Sequence, residues 1–574
     1  MTPGAPAPAA HSSDTTPPVA LVVAAGAVLA CLFAVQVHTL DFWWHLATGA
    51  WIVEHRKIPS TDPFSYTVRG APWRDVNWMG DLVLYGAFRA GGPAGVVAWK
   101  VANAGILLSS LGLCLREIRI GRAVLLSVLV IAAVLIQPRF CEERPEAMGG
   151  ALTAVQLWLG SRHWSGKRHA LVPLAATLFL WFFVHPSFLV GAASAFALLL
   201  TFVVERRSAR ERLSTLALVL GVATLLFATS RGREVIGHAR AYDEASWVVR
   251  LTEEWTRVRL RDARVQVPCA FLALGVVGAA SSRRARTYLL PVALIGAALG
   301  TRYLRNIPFG VLLTAPGVAA LLQRGVDGLR ARSMSTAARL LPPAFAALVP
   351  GLHGLLVDDS PILAGFGFST NLRGLPHDTL RELVTLPFGR TLNDLGIGGY
   401  LIHRQIPGGV FFDGRTVQVY TERDLEEMYL PILQSPEGLD HVADRWDATY
   451  GLVNSTGAEA RVMMTSPEWV PVLHGRSTSL FVRRARAAVL GARAADLYPL
   501  IRWVDEEAWN LSFYSQVLSD PARRQELEKE LVRALRAAPD GYITLATSAF
   551  LERQAPDLAA SVERQVSITA GPRR

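Results

Sequence analysis

Residues 41–78 read DFWWHLATGAWIVEHRKIPSTDPFSYTVRGAPWRDVNW. This stretch follows the first long apolar segment directly and gathers Asp41, Asp62, His45, His55 and five tryptophans. A carboxylate at the mouth of an apolar segment, followed by an aromatic loop, marks the point where a chain leaves a bilayer. Trp44, Ala47, Trp51 and Ile52 recur at near-helical spacing, which predicts a helix lying in the membrane interface. Pro59, Pro63 and Pro72 then interrupt regular structure, and residues 79–90 suit a second short interfacial helix.

Working outward, 51% of the 574 residues are hydrophobic and 18% are charged, against about a quarter charged in soluble domains. Runs approaching the roughly 20 apolar residues of a membrane span recur up to residue 357. They predict a polytopic α-helical membrane protein with about 11 transmembrane helices, near 19–40, 93–115, 121–137, 146–160, 170–184, 186–204, 213–229, 264–281, 286–301, 307–323 and 337–357. With the N-terminus inside, every short inner loop is basic, as the positive-inside rule asks. They hold Arg116, Arg119 and Arg122; Arg162, Lys167 and Arg168; Arg206, Arg207, Arg210 and Arg212; Arg283, Arg284 and Arg286; Arg324, Arg330 and Arg332. The loop 230–263 is arginine-rich on the outer side and stands as the exception. An odd number of spans leaves everything after Leu356 outside. The expected location is the cytoplasmic (inner) membrane, multi-pass, with a cytoplasmic N-terminus and an extracytoplasmic C-terminal domain.

The net charge of +11 sits mainly in these loops, so topology and contacts with membrane lipids explain it, and no nucleic acid is expected. Cys31, Cys114, Cys141 and Cys269 show no CxxC or Cys/His spacing, so no zinc site is assigned. The expected organisation is a disordered leader at 1–17, a transmembrane domain at 18–358 with its first outer loop at 41–92, a soluble extracytoplasmic α/β domain at 359–484, and a helical C-terminal region at 485–574. Within the α/β domain, residues 396–401 read as a helix or strand and residues 409–415 as a strand ending in a turn. Residues 470–474 and 478–482 read as a hairpin about Gly475-Arg476-Ser477. The tail reads as packed helical hairpins without a clean repeat period.

The run Asp41-Phe42-Trp43-Trp44-His45-Leu46-x-x-Gly49, with Pro59-x-x-Asp62-Pro63-Phe64-Ser65-Tyr66-Thr67 and Trp78, resembles a group of bacterial membrane proteins like the GT-C superfamily of membrane glycosyltransferases. So do Arg144-Pro145, His185, Glu254-Trp255, Gly398-Gly399-Tyr400-Leu401 and Phe412-Asp413-Gly414-Arg415. The resemblance covers about residues 19–484 and extends, distantly, to protein O-mannosyltransferases and lipid A sugar transferases. It implies a GT-C-like fold, an acid in the first outer loop and a lipid-linked sugar donor. It does not fix the sugar or the acceptor. Many GT-C enzymes carry an acidic pair in that loop, whereas here Asp41 is followed by Phe42. Some use a divalent metal ion and some do not, and Asp41 with Asp62 is too small a ligand set to assign one.

The chemistry of transfer from a polyprenyl-phosphate sugar needs a base for the acceptor hydroxyl. Asp41 and Asp62 are the catalytic candidates; a helix cap for Asp41 and a turn before Pro63 for Asp62 are the structural alternatives. The departing phosphate calls for cationic donors, and the arginine fork suits phosphate oxygens. Arg144, beside Arg139 on one outer loop, and Arg302 and Arg305 on another are candidates, with His45, His185 and Glu254, for substrate binding. Glu254 beside Trp255 could orient a sugar by hydroxyl contacts and ring stacking, or simply anchor the interface. His185, before Pro186, could equally hold its own turn. Asp413 and Arg415 could pair to fix a turn. Lys100, a rare ionisable group within a span, would snorkel outward. The expected function is an integral-membrane glycosyltransferase of cell envelope assembly, acting on the outer face of the cytoplasmic membrane. The competing classes are a transporter or flippase for lipid-linked glycans and a non-catalytic envelope-assembly scaffold. Transporters place ionisable sites at mid-bilayer, whereas the polar residues here concentrate in outer loops.

Overall fold

The computed structural model describes residues 16–73, 75–244, 251–282, 286–356, 365–371 and 374–569. Most of the leader expected at 1–17 lies outside them, as do Arg250, Arg283 and Arg284. Two compact units emerge: one made of Met1–Val37 and Val76–Ser369, the other of His38–Asp75 and Thr370–Arg574. The first outer loop therefore divides. Its helix and proline-rich turn, 38–75, cluster with the C-terminal residues, and only the part from Val76 onward clusters with the apolar helices.

The first unit is helical. Five of its helices are long and apolar enough to cross a membrane: Trp78–Glu117, Arg122–Phe140, Ala209–Ala228, Ala263–Ser281 and Leu304–Ala331. Shorter apolar helices run over Val19–Phe33, Arg168–Val184, Phe188–Val204 and Arg286–Gly300. These segments mark a membrane protein, and among the described residues five helices, against the eleven spans expected, are long and apolar enough to cross a membrane. The shorter ones rise about 1.5 Å per residue and fall below the roughly 30 Å of a hydrocarbon core. The 40-residue helix Trp78–Glu117 is bent where Gly91 and Gly92 leave helical dihedrals, just before Pro93.

Small residues let the helices of this unit meet at backbone distance. A Cβ on Gly278 would sit 2.0 Å from the Gly317 carbonyl oxygen, and one on Gly317 would sit 2.0 Å from that of Gly275. Lys100 does not snorkel. It is fully buried, ion-paired with Glu143, and donates to the Val35 carbonyl at 2.6 Å. The ammonium finds its partners inside the protein, where a lone charge would be costly.

The second unit carries a four-stranded sheet of order β1-β2-β4-β3, from β1 (Arg390–Asn393), β2 (Ala448–Asn454), β3 (Trp469–His474) and β4 (Thr478–Arg483). β1 runs parallel to β2, and β4 pairs antiparallel with both β2 and β3. The hairpin about Gly475-Arg476-Ser477 forms where its spacing placed it. Residues 396–401 resolve as the helix Leu395–His403, whose first turn is capped by Asp394 accepting from the Ile397 N–H at 3.0 Å. Residues 409–415 do not form a strand; Val410 makes one isolated bridge, to Ser65.

The helix Phe42–His55 is not an interfacial helix with one wet face. Residues Phe42 to Gly49 are all buried, and Trp43 meets the Tyr400 ring edge-on at 4.9 Å. Trp43 and Trp44 pack against Leu395–His403, whereas Trp51 is half-buried and stacks on the exposed His55. Beyond the sheet come four helices, Glu507–Ser519, Pro521–Ala537, Tyr542–Gln554 and Pro556–Thr569, packed in sequence as two hairpins.

Candidate functional site

Three turns of the first unit converge on one charged cluster. The end of Arg122–Phe140, the turn after it and the start of Glu146–Trp164 supply Arg139, Glu142, Arg144 and Glu146. Backbone bonds from Val258 N–H to Arg302 O and from Leu304 N–H to Thr256 O, at 3.3 and 3.1 Å, pin the Glu253–Trp255 turn beside the Leu304–Asn306 turn. That pinning brings Glu254 to Arg305.

Glu254 is the hub. Its Oε2 accepts from Arg139 Nη1 at 2.5 Å and from Arg144 Nη1 at 2.7 Å, and its Oε1 accepts from Arg305 Nη1 at 3.2 Å. Glu146 Oε2 accepts from Arg139 Nη2 at 2.5 Å and from Arg305 Nη2 at 2.9 Å. Glu142 accepts from Arg139 Nη1 at 2.8 Å and lies 3.3 Å from Arg144 Nε. Burial opposes ionisation of Glu254, but the Arg139, Arg144 and Arg305 guanidiniums outweigh it and hold the carboxyl well below the usual range. For Glu142 burial wins over Arg139 and Arg144, and its carboxyl is raised. Two neighbouring carboxyls are thus driven apart by environment.

The aromatic part of the cluster is already occupied. Trp255 stacks on Tyr242 at 4.1 Å and 17°, and the Arg305 guanidinium sits 4.2 Å from its ring centroid. The printed partners of the Trp255 ring are thus protein groups, and it braces Arg305. Arg302 pairs with Asp243, which also accepts from the Tyr303 hydroxyl at 2.7 Å; it stands at the edge of the cluster. His185 Nδ1 accepts from the Ser187 N–H at 3.0 Å, which leaves the ring proton on Nε2. Burial first, then His185, Arg305 and Arg231, hold His238 down at about 3, so it is a neutral ring near pH 7.

Of the expected substrate-binding residues, Arg144, His185, Glu254 and Arg305 come together here, although up to 161 positions of sequence separate them. The sequence reading named Arg139 only as their neighbour and missed Glu142, Glu146 and His238. Alternating acids and arginines just past the end of an apolar helix were the available signal.

The remaining candidates belong to the second unit. Asp62 is fully buried, and both carboxylate oxygens are engaged. Oδ1 accepts from Arg415 Nη1 at 2.6 Å and from the Phe64 N–H at 3.0 Å. Oδ2 accepts from the Ser65 N–H at 3.1 Å and from the Ser65 hydroxyl. Arg415 also grips Asp413 through Nε at 2.8 Å and Nη2 at 2.7 Å, and lies 4.8 Å from the Trp73 ring. Asp62 is therefore corrected from a catalytic candidate to the acid that locks the proline-rich turn onto residues 413–415. A base whose lone pairs all face donors has none to offer an acceptor hydroxyl.

Asp41 is different. It occupies the N-cap position of Phe42–His55, yet its side chain makes no capping bond, so the cap alternative fails. Its Oδ1 lies 2.3 Å from where a Cβ on Gly414 would be, so Gly414 makes room for the carboxylate. His45 is buried and stacks on Trp44 at 3.6 Å, which makes it a packing residue of the helix that presents Asp41. Among the described residues no three His, Cys, Asp or Glu side chains converge as a metal set.

The fold is similar to that of one solved structure, and a second aligns more weakly. Archaeal oligosaccharyltransferase AglB from Archaeoglobus fulgidus, in complex with an inhibitory peptide and a dolichol-phosphate, aligns over 94% of this chain and 86% of its own, with a TM-score of 0.53 at 10% identity. Arabinofuranosyltransferase AftD from Mycobacteria aligns over 81% of this chain and 41% of its own, with a TM-score of 0.48 at 13% identity. No protein-family model and no curated protein matches the sequence.

Proposed function

We propose that the chain is an integral-membrane glycosyltransferase that moves a sugar from a polyprenyl-phosphate-linked donor to an acceptor on the outer face of the cytoplasmic membrane. One observation carries the reading: Glu254, a single anion, is held by three guanidiniums drawn from two separate turns. A carboxylate shared in this way marks an anion cradle, and the oxygens of a lipid phosphate can accept from the same N–H groups. Arg139, Arg144 and Arg305 would hold the phosphate and stabilise the charge it gains as the glycosidic bond breaks. Asp41 would take the acceptor proton. AglB, whose fold this chain shares, is seen with a dolichol-phosphate, which supports a lipid-linked donor.

The test is sugar transfer by purified, reconstituted protein across a panel of polyprenyl-phosphate sugars. Arg305→Gln should raise the donor KM by roughly tenfold or more, from the loss of a charge-assisted bond worth about 1.5–3 kcal/mol. Asp41→Asn should depress kcat with the fold intact. If the wild type transfers nothing but carries the labelled lipid across the vesicle wall, the transporter reading replaces this one.

A further inference from the structure

The loop whose arginines depart from the positive-inside pattern is only partly used by the cluster around Glu254. Arg231 donates to the Val76 carbonyl at 2.6 Å, and Arg264 holds Asp262 and Glu253 at 2.8 and 3.0 Å. Between them Arg257, Arg259 and Arg261 are all exposed, and among the described residues no side-chain hydrogen bond or ion pair engages them. The charge of Arg257 acts on Asp243 through space, but Asp243 is already paired with Arg302. The acids of residues 251–264 are likewise claimed. Arg264 holds two of them, and Arg139, Arg144 and Arg305 hold Glu254. Three uncompensated positive charges are left on one short strip.

That strip stands at the head of a span. The Asp262 N–H donates to Arg259 O at 2.9 Å and closes the turn 259–262. Gln266 Nε2 donates to Leu260 O at 3.1 Å, and Asp262 caps Ala263–Ser281 by accepting from the Arg264 N–H at 2.9 Å. The turn is thus fixed to the start of a helix long and apolar enough to cross a membrane. Leu260, in the same turn between Arg259 and Arg261, is 68% exposed. A bare leucine among three arginines suits a bilayer interface, where the apolar side chain enters the acyl region and the guanidiniums stay with the headgroups.

We propose that residues 257–261 form a docking strip for anionic phospholipid headgroups, with Arg257, Arg259 and Arg261 on phosphate oxygens and Leu260 among the acyl chains. The planar arginine fork matches phosphate, and each basic side chain at a lipid surface favours an anionic headgroup about fivefold. A soluble polyanion would engage the arginines but leave Leu260 in water. A zwitterionic lipid would bring its own cation against them. The backbone bonds from Val258 N–H to Arg302 O and from Leu304 N–H to Thr256 O join the strip to the turn that carries Arg305, so an anionic lipid held here borders the arginine cluster. The inference does not depend on the proposed transfer reaction.

The experiment is site-specific photocrosslinking of the full chain in phosphatidylcholine vesicles that carry small, equal amounts of tagged phosphatidylglycerol and tagged phosphatidylcholine. Leu260→p-benzoylphenylalanine reports on the strip. Leu274→p-benzoylphenylalanine, at an exposed position further along the same helix, reports on ordinary lipid contact. Expected at 260 is at least about fivefold more adduct with phosphatidylglycerol per mole, the preference of a single arginine, against near-equal yields at 274. Arg257→Gln, Arg259→Gln and Arg261→Gln together should bring the ratio at 260 down to that at 274. Salt of about 1 M, where the screening length is about 3 Å, should do the same; this arm leaves the arginines in place and serves if the triple variant does not insert. Equal yields of the two lipids at 260, no lipid adduct there, a ratio unmoved by salt or by the triple variant, or capture of added dextran sulfate in place of lipid would each overturn the inference.

Discussion

Replacing Asp62 by asparagine separates an acid that holds the fold from one that performs chemistry. The side chains of Asp62 and Arg415 are both 0% exposed and meet at 2.6 Å. Arg415 is held on its other side by Asp413, so removing one carboxylate leaves the cation paired but strips the proline-rich turn of its anchor. Breaking a buried ion pair from one side costs about 3–5 kcal/mol. For a unit of this size, about 2–4 °C per kcal/mol converts that into a fall in Tm of roughly 6–20 °C. The assay is a thermal scan of intrinsic tryptophan fluorescence in detergent, which Trp43, Trp44 and Trp73 make sensitive to this unit. Adding Arg415→Met to Asp62→Asn should recover little, because Asp413 then loses its own partner. Catalytic turnover of the folded fraction should be near wild type. An Asp62→Asn protein that melts within about 2 °C of the wild type yet fails to transfer sugar would refute the assignment and return Asp62 to the chemistry.

Gly414→Ala should lower turnover about tenfold with little change in Tm, because its Cβ would fall 2.3 Å from Asp41 Oδ1 and push the carboxylate away; unchanged kinetics would mean that the position of Asp41 is immaterial. Gly278→Val should destabilise the membrane unit by about 1–3 kcal/mol through overpacking, since the nearest atom, Gly317 O, belongs to backbone and cannot rotate aside; differential scanning of the detergent complex reads the shift. Asp394 is pushed up to about 7, first by burial and then by Glu459. Between its unfolded value of about 3.9 and about 7 the native state holds a proton that the unfolded state has released. The stability of the second unit should therefore fall as pH rises through that window, and Asp394→Asn should flatten the slope of Tm against pH between 5 and 8.

The apolar runs, the basic loops between them and the acid after the first run were legible because each is a local pattern imposed by a bilayer. The arginine cluster was legible residue by residue, since Arg144, Glu254 and Arg305 are costly choices beside membrane helices, but its pairing was not. Nothing in the sequence says that Glu254 will meet Arg139, 115 positions away. The same limit hid the role of Lys100, whose partner Glu143 reads locally as one more loop acid. The tryptophans of residues 41–55 misled for a different reason. An aromatic stripe at helical spacing satisfies a membrane interface and a protein core equally well, and only the neighbouring helix Leu395–His403, some 350 residues on, decides between them.

Asp41 and Asp62 sharpen the point. In sequence they are two acids in one loop and look like a pair. In the structure one has every lone pair claimed by Phe64, Ser65 and Arg415, while the other stands at a helix start without capping it and faces a glycine that leaves it room. Lone pairs given to buried donors serve the fold first. That difference is carried by residues 413–415, far along the chain, so the two aspartates are told apart by what folds onto them and not by their own neighbours.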